Sequence, residues 1–132
     1  MSKHIKTQLL TPDGTLFEGE ATAIQVPGIS GNFQILYNHA PLVSALGMGE
    51  IIIQSVESGD LHYAVLGGFI EVNQNLCTIL AEKAEYSELI PIEEVRAERD
   101  RLKALLKTIT QNREEVEHEL RIAENRLKVA DS

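Results

Sequence analysis

Four histidines, one cysteine and several paired carboxylates are the side chains of this 132-residue chain best suited to chemistry. Their spacing decides what they can do. His4 stands near the N-terminus, His39 follows Asn38 in a loop-like stretch, and His62 lies in a strand-like run. His118 falls on the outer face of a helix-like segment. No H-x-H and no H-E-x-x-H occurs, so no metal site is expected. Cys77 sits in the apolar run Leu76–Leu80 with no basic neighbour to lower its pKa. It reads as a small core residue in a reducing compartment, and a single cysteine excludes a disulfide scaffold. Gly67-Gly68 lacks the G-x-x-x-x-G-K-[ST] frame and leads into a strand, so it is no phosphate loop. No G-x-S-x-G occurs. Glu93/Glu94 and Glu114/Glu115 fit solvated helix faces. These residues describe a binding or structural module, with no catalytic residues, and not an enzyme.

Composition bounds the partners. A hydrophobic fraction of 43% and a charged fraction of 24% are ordinary for a globular domain. A formal net charge of −8 and a pI near 4.9 argue against nucleic acid and against charge-driven lipid anchoring. No apolar run approaches the ~20 residues that span a bilayer, so no direct membrane insertion is expected. Met1–Lys6 runs straight into strand-like sequence without an apolar leader. The expectation is a protein that is cytosolic or held at a membrane by other proteins, and bacterial or plastid-encoded.

The elements that must position these residues change character once. All nine glycines lie at or before Gly68, every aromatic residue at or before Tyr86, and the last proline is Pro91. From Ile92 to Ser132 there is no Gly, Pro or aromatic residue. Turn-rich β sequence gives way to helix formers within Glu85–Pro91. Two domains are expected, 1–86 and 87–132. In the first, short apolar runs alternate with turn signals such as Thr11-Pro12-Asp13-Gly14, Glu57-Ser58-Gly59-Asp60 and Asn73-Gln74-Asn75. The spacing predicts eight or nine short strands in an antiparallel sandwich or barrel. In the second, helices are expected at about 92–107 and 113–129. Val95, Leu102, Leu105, Leu106 and Ile109 stripe the first; Val116, Leu120, Ala123, Leu127 and Ala130 stripe the second. Two such stripes can zip into an antiparallel hairpin roughly 25 Å long. Each stripe is narrow, so the hairpin leans on the sandwich and can detach at modest cost.

Three segments carry a family resemblance. Gly31-Asn32-Phe33-Gln34-Ile35-Leu36-Tyr37-Asn38-His39-Ala40-Pro41-Leu42-Val43 resembles the G-E-F-G-I-L-P-G-H-A-P-L signature of ATP synthase epsilon subunits. Leu66-Gly67-Gly68-Phe69-Ile70-Glu71-Val72 is similar to that family's S-G-G-F-L-E-V segment, and Thr11–Gly14 with Phe17-Glu18-Gly19 to its opening turn. The resemblance spans essentially the whole chain. It implies a ten-stranded, two-sheet antiparallel sandwich followed by a two-helix hairpin, placed at the foot of the central stalk. The implied partners are the gamma subunit, the membrane ring of c subunits and, when the hairpin extends, the alpha/beta catalytic head, whose ATP hydrolysis it restrains. The implied place is the cytoplasmic face of a bacterial inner membrane or a plastid thylakoid membrane.

The residues carried over follow the matching positions. His39, Ala40, Pro41 and Leu42 are expected to meet gamma. Gly31 and Asn32 are expected to meet the c ring, with Asn32 replacing the family's acid and so losing a charge-paired contact. Asn38 and Gln34 replace family glycines; Asn tolerates positive φ, whereas Gln34 suggests a locally different strand. Ile92-Glu93-Glu94-Val95-Arg96-Ala97 is similar to the I/L-D-x-x-R-A motif with which some bacterial members bind ATP. A helix N-terminus, a forked guanidinium on Arg96 and the small Ala97 suit a nucleotide. Glu85 and Arg126 match further positions of that site, while Lys103 and Ile122 replace family arginines. ATP is thus a candidate regulatory ligand, and no cofactor is required. Arg99, Arg101, Lys103 and Lys107 are the basic residues expected to pair with acidic surface on the head. The alternative from another class is a stand-alone β-sandwich adaptor that binds a partner helix.

Overall fold

A computed structural model describes residues 3–131, so the outermost positions of the two expected domains, 1–2 and 132, lie outside the described residues. Six strands come first: β1 Ile5–Thr11, β2 Gly14–Gly28, β3 Gly31–Leu36, β4 Leu42–Ser55, β5 Gly59–Asn73 and β6 Leu76–Tyr86. A 3-10 turn at Ser87–Leu89 leads to α1, Ile92–Leu106, and α2, Arg113–Ala130. The strands pair in the order β1-β6-β5-β4-β2-β3, and β1 also pairs with β2, which closes the sheet into a flattened barrel.

Three expectations need correction. Among the described residues there are six strands, not ten, because signals read as strand ends act as bends within strands. At Gly67-Gly68, β5 keeps one register on both neighbours, with Leu66 opposite Lys83 and Gly68 opposite Ala81 on β6. Both glycines take positive φ, 70° and 129°, and a Cβ on Gly68 would lie 2.1 Å from the Leu80 carbonyl oxygen. Only glycine fits there, and it kinks the strand without ending it. In β2, register shifts against β4 at Ala21/Ala23 and Gln25/Gly28 do the same through bulges. Nor is the sheet wholly antiparallel, since β1 runs parallel to β6. Gln34 causes no irregularity: it pairs with Gln25 in a regular ladder.

The turns follow their residue types. The Thr11 hydroxyl accepts from the Asp13 N–H (3.2 Å) at the β1–β2 corner. Gln74 and Asn75 both have positive φ, 50° and 60°, as a two-residue hairpin of the primed kind requires. Inside the barrel, Ile5, Leu9, Ile24, Ile35, Ile51, Ile53, Ile70 and Ile79 are fully buried with Cys77 among them. β-Branched side chains at alternate positions fill this core.

The second cluster is small. Ala64 of β5, Ile90, Val95 of α1, and Ala123 and Val129 of α2 pack together beneath the hairpin. α2 therefore has two apolar contacts, one with α1 and one with the sheet. That is why Val129, outside the heptad stripe, is buried at 1% exposure. Asn112 turns the hairpin in the left-handed conformation at φ 60°, and Arg113 donates to the Leu106 carbonyl (2.7 Å) at the end of α1.

Candidate functional site

Two regions collect the residues singled out by sequence: an outer sheet face with its adjoining loops, and a cleft under α2. On the sheet face, Ala45, Phe69, Leu80 and Leu10 stand directly opposite one another across β4, β5, β6 and β1. Directly paired residues share a face. Here that face is the outer one, since the intervening Ile70 and Ile79 fill the core. Phe69 and Leu80 are more than half exposed, and Val43, two residues before Ala45 on β4, is 69% exposed. Ile29 joins them where its N–H donates to the Ala45 carbonyl, and it too is exposed. Together these side chains form an exposed apolar patch on the outer face, a feature of interaction surfaces. The hairpin does not cover it.

The expected contact loop runs into this face. Asn38 takes φ 65°, and its amide N–H donates to Asn75 Oδ1 (2.7 Å), while Asn75 Nδ2 donates back to Asn38 Oδ1 (3.0 Å). This pair ties the β3–β4 loop to the β5–β6 turn. His39 is half-buried and its Nδ1 lies 2.7 Å from the Ala40 carbonyl oxygen. Ala40 and Pro41 are exposed, whereas Leu42 packs against the core. Gly31 and Asn32 lie exposed where β3 leaves the β2–β3 turn, beside Ile29. Sequence reasoning singled out the loop but not the apolar face, whose signal was three apolar residues at the polar phase of their strands: Val43, Phe69 and Leu80.

The cleft of about 380 Å³ lies between α2 and the strands β5 and β6. Arg126 forks onto Glu85, its Nε on Oε1 and one terminal nitrogen donating to Oε2 (3.1 Å), and both side chains are part-buried. Asn125 Nδ2 donates to the Gly49 carbonyl (3.0 Å), which pins α2 to β4. Ile122 lines the cleft between them; Arg121, one position before it, is exposed. Of the residues expected to hold a nucleotide, Glu85 and Arg126 line the cleft, and Ile92, Glu93, Arg96 and Ala97 do not. Arg96 donates instead to Glu93 (2.6 Å) on its own helix. The basic residues of α1 are likewise engaged locally, Arg99 with Asp100 (3.0 Å) and Arg101 with both oxygens of Glu98. The Glu98 carboxyl is held below its usual range by that hydrogen bond. Lys103 and Lys107 are exposed.

The titratable residues outside these regions do not converge. His62 bonds Glu50 (2.9 Å), His4 lies 3.7 Å from Glu20, and His118 is exposed. Among the described residues no three His, Cys, Asp or Glu side chains are grouped to hold a metal. Burial pushes the Cys77 thiol up to about 12, which leaves no thiolate at neutral pH. No described helix is long and apolar enough to cross a membrane.

The comparisons with known proteins agree with this geometry. The pattern of the family described as ATP synthase, Delta/Epsilon chain, beta-sandwich domain matches residues 4–87. An ATP synthase epsilon chain of Halalkalibacterium halodurans is 36% identical over 129 residues, covering 96% of each chain. One of Salinibacter ruber is 35% identical over 114 residues, covering 80% of this chain and 76% of its own. In fold, a chain of the Euglena gracilis mitochondrial ATP synthase OSCP/F1/c-ring assembly superposes with a TM-score of 0.85. It is 22% identical and covers 100% of this chain and 84% of its own.

Proposed function

This chain belongs to the ATP synthase epsilon family, whose members are non-catalytic subunits of that complex, and from that premise we propose that it joins the central stalk and regulates it. The sandwich is the coupling part. It binds gamma through the bare face of Val43, Phe69 and Leu80 and the adjoining loop His39–Leu42, and meets the c ring through Gly31 and Asn32. The observation that supports this is the apolar face itself, left open by the hairpin. The structural neighbour named for an OSCP/F1/c-ring assembly supports the same placement. With these partners the protein sits peripherally at the cytoplasmic face of a bacterial inner membrane or at a plastid thylakoid membrane. The stand-alone adaptor reading gives way to family membership.

The hairpin is the regulatory part, 87–132 acting as a unit separate from 1–86. It lies folded on the sandwich through a small seam, and a small seam can open. Extended, it presents Arg99, Arg101, Lys103 and Lys107 to acidic surface on the alpha/beta head and slows ATP hydrolysis. ATP is a regulatory ligand of the folded form, its phosphates competing with Glu85 for Arg126 in the cleft, with Arg96 and the start of α1 closing from the side. Weak affinity is expected, because the ion pair must open first and Ile122 stands where a second arginine would help.

The test uses the catalytic head stripped of this subunit, with the full chain added back. Phe69→Glu should abolish binding to the head–gamma complex, since a carboxylate would be buried against an apolar partner. Replacing Arg99, Arg101, Lys103 and Lys107 together by alanine should preserve binding but relieve the slowing of hydrolysis. Undiminished binding by Phe69→Glu would overturn the placement, and undiminished slowing by the second variant would overturn the regulatory assignment.

A further inference from the structure

The barrel is not closed along its whole length. Ala21 of β2 has Ile5 of β1 on one side and Ser55 of β4 on the other. From Ala21 back toward Gly14, β1 continues along the first edge, but β4 has already turned away at Ser55. One further bond crosses, from the Val56 N–H to the Glu20 carbonyl (3.0 Å). Among the described residues no strand pairs with the second edge of Thr15–Gly19. Unused N–H and C=O groups on a strand edge are a template for another strand.

A groove of about 950 Å³ runs beside this edge. Its floor is apolar and aromatic: Phe17, Leu61, Tyr63 and Tyr86, with the two tyrosine rings 5.5 Å apart. Leu16, Val56 and Leu89 flank it and are exposed. Its charged side chains are Glu18, Glu20, Glu57 and Glu85, and no Lys, Arg or His lines it. Glu85 is taken by Arg126 and Glu20 has His4 nearby, which leaves Glu18 and Glu57 for a partner.

We propose that this edge is a docking site for an extended segment of another protein in which apolar and basic residues alternate. The segment adds as a strand to Thr15–Gly19. The alternation of β2 dictates the pattern, since Phe17 and Gly19 face inward while Leu16, Glu18 and Glu20 face out. Residues of the added strand beside Phe17 lie over the aromatic floor, and those beside Glu18 meet carboxylates. Backbone pairing supplies affinity and the alternating side chains supply choice. A second copy of this chain is excluded as occupant by charge: two such edges would oppose Glu18 and Glu57 to their own kind on molecules of net charge −8. The site is distinct from the gamma-facing surface, so it stands or falls independently of that assignment.

The probe is a peptide of about eight residues alternating valine and lysine, capped at both ends, titrated into the ¹⁵N-labelled full chain. Shifts confined to Thr15–Glu20, Glu57, Tyr63 and Tyr86 are expected, with slowed exchange of the β2 amides that β1 does not use. A valine–glutamate peptide and a version N-methylated at alternate residues should bind about tenfold more weakly or not at all. Glu18→Lys with Glu57→Lys, both exposed, should reverse the preference between lysine and glutamate peptides. The proposal is overturned by shifts that map to Phe69 and Leu80, by equal binding of the glutamate or N-methylated peptide, or by no binding at millimolar peptide. Concentration-dependent shifts at Thr15–Glu20 without peptide would make the edge a self-association site and also overturn it.

Discussion

The sandwich and the hairpin are stabilised by different means. The sandwich closes a ring of hydrogen-bonded strands around a continuous core in which eight isoleucine or leucine side chains are fully buried. The hairpin rests on a seam of Ala64, Ile90, Val95, Ala123 and Val129, two of them alanines, with one fork of charge and one amide bond beside it. Apolar stabilisation scales with area removed from water, about 25 cal/mol per Å², so small side chains hold weakly. One chain thus carries a strongly held part and a weakly held part.

Substitutions can sharpen or break that contrast. Ile53→Ala, at 0% exposure, should cost about 2–5 kcal/mol in denaturant unfolding and bring down strand and helix signals together, because α2 needs the sheet. If the helices survived it, the hairpin would not depend on the sandwich. Leu102→Ala, between the two helices, should cost about 2 kcal/mol but only of the hairpin. Fast amide exchange in α1 and α2 with an unchanged barrel transition is the expected readout.

The core also dictates an alkaline response. Cys77 is raised from 9.0 to about 12 by burial. Below pH 9 the thiol is protonated folded or unfolded and contributes nothing to the difference. Above pH 9 the unfolded chain ionises first and binds fewer protons than the native one. Stability therefore falls from pH 9 toward about 12, by roughly 1 kcal/mol over the first unit. Tyr63, raised by burial and then by Tyr86, acts in the same direction. Cys77→Ala should flatten the slope measured by denaturation between pH 9 and 10. The smallest effect belongs to the seam: Glu85→Gln should loosen α2 by about 1 kcal/mol or less, because both charges stay one-third exposed and screened. Amide exchange in α2, unaltered in β6, checks it.

Much of this was legible beforehand. The loss of Gly, Pro and aromatic residues after Pro91 located the helices to within a residue or so, since those residue types act locally on φ and on helix formation. The left-handed Asn38 followed from what Asn tolerates. Strand number was misread because Gly67-Gly68 signals a break in sequence, whereas the tertiary pairing on both sides carries β5 straight through it. The face of Val43, Phe69 and Leu80 was missed because exposure depends on which side of a strand the core lies, and Val129 because a helix packed between two surfaces outgrows a single stripe.

By itself, the sequence determined the residue chemistry, the boundary between β and helical segments, the turns, and the family. These rest on local conformational preference or on contiguous motifs. Only the tertiary structure decided that the sheet closes through a parallel β1–β6 contact, and that Arg126 reaches Glu85 across forty-one positions. It also decided that one edge of β2 stays open. These are non-local pairings: the free energy lies in contacts between segments distant in the chain, and no local pattern encodes which partner is met.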